Sequence, residues 1–171
     1  MIKFLNGLVI LSTLVIVGAC GSNNVKRYRA DMSIYRQLKK YDIDKINTVN
    51  VTMAEGDRCF IMCRMSGNIY LPNNITYSKY IEDAFEKVLM YSDGQKKTKN
   101  LKIELTKVDV NTVSGKWTIK ANVYIDGQQA KEILSVTKFG TAYVADSACR
   151  NAAEVFEDAV TEFIEKVIQN V

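Results

Sequence analysis

Four cysteines, one run of lysines and two groups of carboxylates are the residues of this chain whose types and spacing could do chemistry. Cys20 closes Val17-Gly18-Ala19-Cys20, which reads as a lipobox, the signal for attaching lipid to a cysteine thiol and cutting the chain in front of it. The other three, Cys59, Cys63 and Cys149, suit a disulfide if the chain folds in an oxidising compartment. Lys96, Lys97, Lys99 and Lys102 are the densest basic run and the candidate contact for an anionic ligand. Glu82, Asp83 and Glu86, and the acidic residues of the last helix, fall on the solvent side of amphipathic helices and read as solvated faces.

Several chemistries are excluded by what is missing. The 171 residues include no histidine, which removes His-based acid–base catalysis, Ser-His triads and His-ligated metals together. Three cysteines without histidine leave a structural zinc site short of a ligand. Gly-rich phosphate loops and nucleophile elbows are absent as well. No cofactor, metal or catalytic constellation is therefore expected, and the chain reads as a non-enzyme. A net charge of +4 from 23 basic and 19 acidic residues is too mild and too mixed to imply a nucleic-acid partner.

The elements that must position these residues follow from periodicity. Residues 1–19 have the anatomy of an export signal: Lys3, then an apolar stretch from Leu8 to Val17, then Gly18-Ala19. An apolar run of about ten residues is too short to cross a bilayer as a helix, which takes roughly twenty. The signal would be removed, leaving Cys20 as the first residue, held on a membrane by acyl chains such as palmitate. Each buried methylene adds roughly 0.8 kcal/mol, and more than one chain gives stable anchoring. Gly21-Ser22 follow with no Asp, which resembles the proteobacterial sorting signals for the outer membrane and implies its periplasmic face over inner-membrane retention.

Residues 20–45 read as a lipid-anchored basic tether, with a short helix in which Ile34, Leu38 and Tyr41 share a face and Asp31 is the candidate cap. Residues 46–171 read as one periplasmic domain. Ile46 to Met53 and Cys59 to Met65 are expected strands, split by the turn Ala54-Glu55-Gly56-Asp57. A helix follows from Ser78 to Tyr91, with Ile81, Ala84, Phe85, Val88 and Leu89 on its apolar face. Leu101 to Val110 alternates and then changes phase, as a β-bulge would make it do.

Trp117, Ile119, Ala121, Val123 and Ile125 point to one face of the clearest strand, and Thr118, Lys120, Asn122 and Tyr124 to the other. Asp126-Gly127 turns the chain into a strand from Glu132 to Phe139. The last helix runs from Ser147 to Gln169, capped by Asp146, with Cys149, Ala152, Phe156, Val160, Phe163 and Val167 inward. The expected fold is α+β: a two-layer sandwich with a mainly antiparallel sheet of four to five strands and two helices on one face, in the order β-α-β-β-β-α.

This arrangement constrains the cysteines. Four steps along one strand separate Cys59 from Cys63 by roughly 13 Å, beyond the reach of a disulfide. Cys149 lies on the inward side of the last helix, so a helix-to-strand bridge is expected. Cys63–Cys149 is favoured, Cys59–Cys149 is the alternative, and three buried free thiols remain a third arrangement.

Three segments carry a resemblance: Tyr80-Ile81-Glu82-Asp83-Ala84-Phe85, Gly115-Lys116-Trp117-Thr118-Ile119 and Ala148-Cys149-Arg150-Asn151-Ala152-Ala153. With the topology of residues 57–170, they resemble small Gram-negative outer-membrane lipoproteins, the loose group of YajG-type, lipopolysaccharide-assembly and TolB-N-terminal-like polysaccharide-secretion lipoproteins. The resemblance implies an accessory subunit tethered to the inner leaflet of the outer membrane, with no functional residues to transfer. The expected partners are the membrane and an envelope protein, contacted through the Thr118, Lys120, Asn122 and Tyr124 face or an exposed strand edge. The alternative is a module that binds an anionic envelope ligand, such as lipopolysaccharide or glycan.

Overall fold

The computed structural model describes residues 23–30, 32–64, 67–92 and 97–171, with the backbone alone at 129 and 130. Cys20, Asp31, Met65 and Lys96, each singled out above, lie outside the described residues. The fold is α+β, as expected: three helices and two mixed sheets.

The larger sheet has four strands in the order β2-β5-β6-β7, where β2 is Ile46–Met53, β5 is Lys99–Asn111, β6 is Lys116–Ile125 and β7 is Gln128–Lys138. β5, β6 and β7 form an antiparallel meander, and β2 joins β5 in parallel. The phase change along β5 is a register shift between Leu105 and Lys107, so Val108 returns to the inner face opposite Ile119. Asp126 (φ 49°) and Gly127 (φ 83°) supply the two left-handed residues that a tight two-residue hairpin needs. Pairing therefore begins at Gln128, four residues before the expected start of β7.

The smaller sheet has the order β1-β4-β3, from Asn23–Asn24 (β1), Phe60–Cys63 (β3) and Gly67–Tyr70 (β4). Its β1 pairs in parallel with β4, and β3 with β4 antiparallel. Residues 23–45, read from the sequence as a tether, are packed into the folded unit. Val25, Tyr28, Tyr35, Leu38 and Ile43 are all buried, around the short helix α1 at Met32–Leu38. Their spacing is irregular because they dock through loops and 3₁₀ turns, so no single period shows them.

Helix α2, Tyr77–Leu89, is capped by the Thr76 side chain and by Asp57, which accepts from the Ser78 N–H at 3.2 Å and from its hydroxyl. Helix α3, Ala145–Ile168, begins two residues before the expected Ser147. Its N-cap is Val144, with no side-chain cap. Asp146 therefore lies inside the first turn, where its charge suits the helix dipole and it pairs with Arg150 at 3.0 Å. All six residues expected to face inward on α3 are buried, and so are Ala148, Ala153, Ala159, Ile164 and Ile168. The stripe is wide because α3 packs against β6 and β7 on one side and β1 and β4 on the other.

Phe156 is the centre of the core. Its ring lies 4.6 Å from Trp117 and 5.3 Å from both Tyr77 and Tyr80. Trp117 Nε1–H donates to the Ala152 carbonyl at 2.8 Å, so the one polar atom of the largest core side chain is satisfied. Cys63 and Cys149 form a disulfide with a Cα–Cα distance of 5.8 Å, fastening β3 to the second turn of α3. Cys59 is a half-buried free thiol.

Candidate interaction surface

With the helices on one side, the opposite face of the β5-β6-β7 meander is open. Thr118, Lys120, Asn122 and Tyr124 lie on it, as their alternation required. They are tied into a charge network. Lys120 pairs with Glu132 at 2.8 Å across to β7. Tyr124 donates to Glu104 at 3.2 Å on β5, and the Lys102 ammonium sits 5.6 Å from the Tyr124 ring. Partial burial, then the bond to the Glu104 carboxylate, pushes the Tyr124 phenol up from its ordinary value.

Strand β7 completes this face and is its unusual member. Its alternation is inverted: Ser135 and Thr137 are buried toward α3, while Leu134 (53% exposed) and Val136 (39% exposed) face solvent. No strand pairs with the outer side of β7 among the described residues. The Leu134 carbonyl is aimed off the sheet, where it accepts from the Lys166 side chain at 3.3 Å. An apolar pair beside unpaired backbone groups is the combination that isolated edge strands usually avoid. Sequence reasoning missed it because the more apolar phase, Leu134 and Val136, is the one that faces out, while Ile133 shares the inner phase with Ser135 and Thr137. The signal was there in the cross-strand partners: Leu134 pairs with Lys120 and Val136 with Thr118, both solvent-facing.

Among the described residues, Lys97, Lys99 and Lys102 do not converge on one site. Lys97 is exposed in the loop before β5. Lys99 donates to the Val171 carbonyl at 2.6 Å, whereas Lys102 lies on the open sheet face. Three steps along a strand put Lys99 and Lys102 on opposite faces.

The carboxylates of α2 are more structural than their solvent-side phase implied. Glu82 and Asp83 both hold Lys79 at 2.9 Å, and these bonds raise the Lys79 pKa. Glu82 also accepts from the Val51 N–H at 3.2 Å, so it covers part of the outer edge of β2. The two edges of the large sheet are thus treated differently: Glu82 of α2 covers part of the β2 edge, and no strand pairs with the outer side of β7 among the described residues.

A cleft of about 520 Å³ opens between the sheets, lined by Met53, Arg58, Phe60, Met62 and Asp109 with Tyr77 at its floor. The Tyr77 hydroxyl is buried and finds no hydrogen-bond partner among the described residues. Burial, with a smaller contribution from Cys59, pushes its pKa well up.

No family model matches the sequence, and no curated protein does. Among solved structures, the chain is similar in arrangement to protein XCC0632 from Xanthomonas campestris, of the DUF330 family. The identity is 14% over 71% of this chain and 79% of that one, with a TM-score of 0.47.

Proposed function

We propose that this protein is a lipid-anchored, non-catalytic accessory subunit of an envelope assembly or transport complex, carried on the periplasmic face of the outer membrane. Cys20 is its anchor in this reading, and the open β7 edge is the surface that receives its partner. The carrying observation is the exposure of Leu134 and Val136 beside an unpaired strand edge. An extended segment of an envelope protein added to β7 would gain main-chain hydrogen bonds from the edge and specificity from these two side chains. The Lys120–Glu132 and Tyr124–Glu104 pairs give the adjoining face a fixed polar pattern for a second strand to read. The resemblance to small outer-membrane lipoproteins supports the same assignment.

The test is affinity capture of the full-length protein from crosslinked membranes, in parallel with the Val136→Lys variant. One envelope protein recovered by the parent and lost from the variant supports the reading. Recovery of none, or equal recovery by both, contradicts it.

A further inference from the structure

The chain enters the domain at a particular pole. β1 runs parallel to β4, whose first residue, Gly67, pairs with Cys63 at the turn of the β3–β4 hairpin. Asn23, opposite Ile69, therefore comes in from the side of that turn. Arg64, just past Cys63, donates to the Thr112 hydroxyl (2.9 Å) and carbonyl (2.8 Å) and reaches the Tyr143 carbonyl at 3.5 Å. It thus gathers the β5–β6 turn and the β7–α3 loop at the same pole. Only three residue steps separate Asn23 from Cys20, a span of at most about 11 Å.

Three of the exposed large apolar side chains gather at this pole. Tyr143 is fully exposed, and Val113 (75%) and Val144 (64%) stand beside it. Arg64, Val113 and Tyr143 line one shallow groove there. Next to them, Lys116 and Lys138 face each other directly across the last register of β6 and β7, both exposed and with no ion pair among the described residues. Like charges directly opposite in a sheet are destabilising unless something anionic lies between them. The one acidic side chain of the α3 first turn, Asp146, is already neutralised by Arg150. A projecting tyrosine with valines, flanked by two exposed lysines with no ion pair among the described residues, has the chemistry of a surface that sits in a lipid headgroup layer.

We infer that this pole is the membrane-facing surface of the domain: Tyr143, Val144 and Val113 enter the headgroup region, and Lys116 and Lys138 bind the phosphates of anionic lipids. The inference rests on the reading of Cys20 as a lipid anchor, because a short leash from Cys20 to Asn23 holds this pole, and no other, against the bilayer. It fixes the orientation of the molecule. The β7 edge then stands upright from the membrane, presenting Leu134 and Val136 sideways to a partner in the periplasm.

The test uses the full-length Tyr143→Trp protein, purified from membranes and reconstituted in vesicles of phosphatidylethanolamine and phosphatidylglycerol containing acyl-brominated lipid. Trp117 is fully buried and bonded, so it serves as the unquenched reference. The expected result is loss and blue shift of the introduced indole's emission. That loss should fall in a Lys116→Gln/Lys138→Gln background, and in vesicles without the anionic lipid. Intact mass separates the two levels of failure. A chain that carries lipid on Cys20 but shows no quenching overturns the orientation and leaves the anchor standing. A chain without lipid on Cys20 overturns both.

Discussion

Cys63 and Cys149 lie 86 residues apart in sequence and 5.8 Å apart at Cα, and their bond joins the small sheet to the helix that forms the floor of the large one. The smaller sheet has only three short strands, so much of what holds it in place is this bond and the burial of Ile69 and Leu71. Residues 23–30 hang from that sheet through β1, and the Tyr80 hydroxyl ties them to α2 by donating to the Lys26 carbonyl at 2.9 Å.

Reduction, or Cys149→Ser, should therefore destabilise the domain by about 4–5 kcal/mol, the chain-entropy value for a closed loop of this length. Urea unfolding with and without reductant measures it. Cys59→Ser should leave the reductant sensitivity unchanged, because Cys59 takes no part in the bond. Equal behaviour of the parent in both conditions would show that the bridge contributes nothing.

The two buried tyrosines of α2 should respond oppositely to loss of the hydroxyl. Tyr80→Phe removes the bond to Lys26 and should cost about 1 kcal/mol. Tyr77→Phe removes a buried hydroxyl that has no partner and should be neutral or stabilising. In both residues burial is the main cause holding the folded-state pKa above the ordinary 10.0. A raised phenol pKa leaves stability untouched while both states are protonated. Stability is then lost as pH rises past 10, where only the unfolded chain releases its protons. Alkaline unfolding followed by circular dichroism should shift to higher pH in Tyr77→Phe.

Gly115 should tolerate no side chain. Its φ is +59°, and a Cβ there would lie 2.3 Å from the Phe139 carbonyl oxygen. The same carbonyl region is held close because the Phe139 N–H donates to the Gly115 carbonyl at 2.8 Å. Gly115→Ala should lower stability by more than the roughly 1 kcal/mol of a simple left-handed penalty, read as a drop in thermal midpoint. Gly127→Ala, with a positive φ but open space around it, should cost less.

On β7, Val136→Lys should change stability by no more than about 0.5 kcal/mol, as an exposed substitution does, while removing partner capture. Ser135→Ala, on the buried side of the same strand, should stabilise or leave unchanged, since the Ser135 hydroxyl is also buried without a partner. The contrast separates a surface role for β7 from a folding one, with thermal unfolding and capture measured on the same preparations.

Much of this fold could be read from periodicity. The apolar faces of α2 and α3, the bulge in β5 and the alternation of β6 all follow from local spacing and strand geometry, which favours the Cys63–Cys149 bridge while leaving Cys59–Cys149 and free thiols open. What could not be read depends on contacts without a period. Leu38 shares a helical face with Ile34 and Tyr41 and its burial could be read, but Val25, Tyr28 and Ile43 are buried with no period to announce them. The exposed Leu134 and Val136 are likewise a matter of register: only the pairing with Lys120 and Thr118 tells which phase of an apolar run faces out. Register also separates residues that the sequence places together. Neighbours in sequence, Lys99 and Lys102, are sent to opposite faces by the strand that carries them.

The proposed role depends on the lipid anchor at Cys20, and the intact mass of the protein recovered from the membrane fraction tests that anchor most directly. The predicted mass is that of residues 20–171 with lipid on Cys20. A chain that retains residues 1–19, or one that begins at Cys20 without lipid, would contradict it.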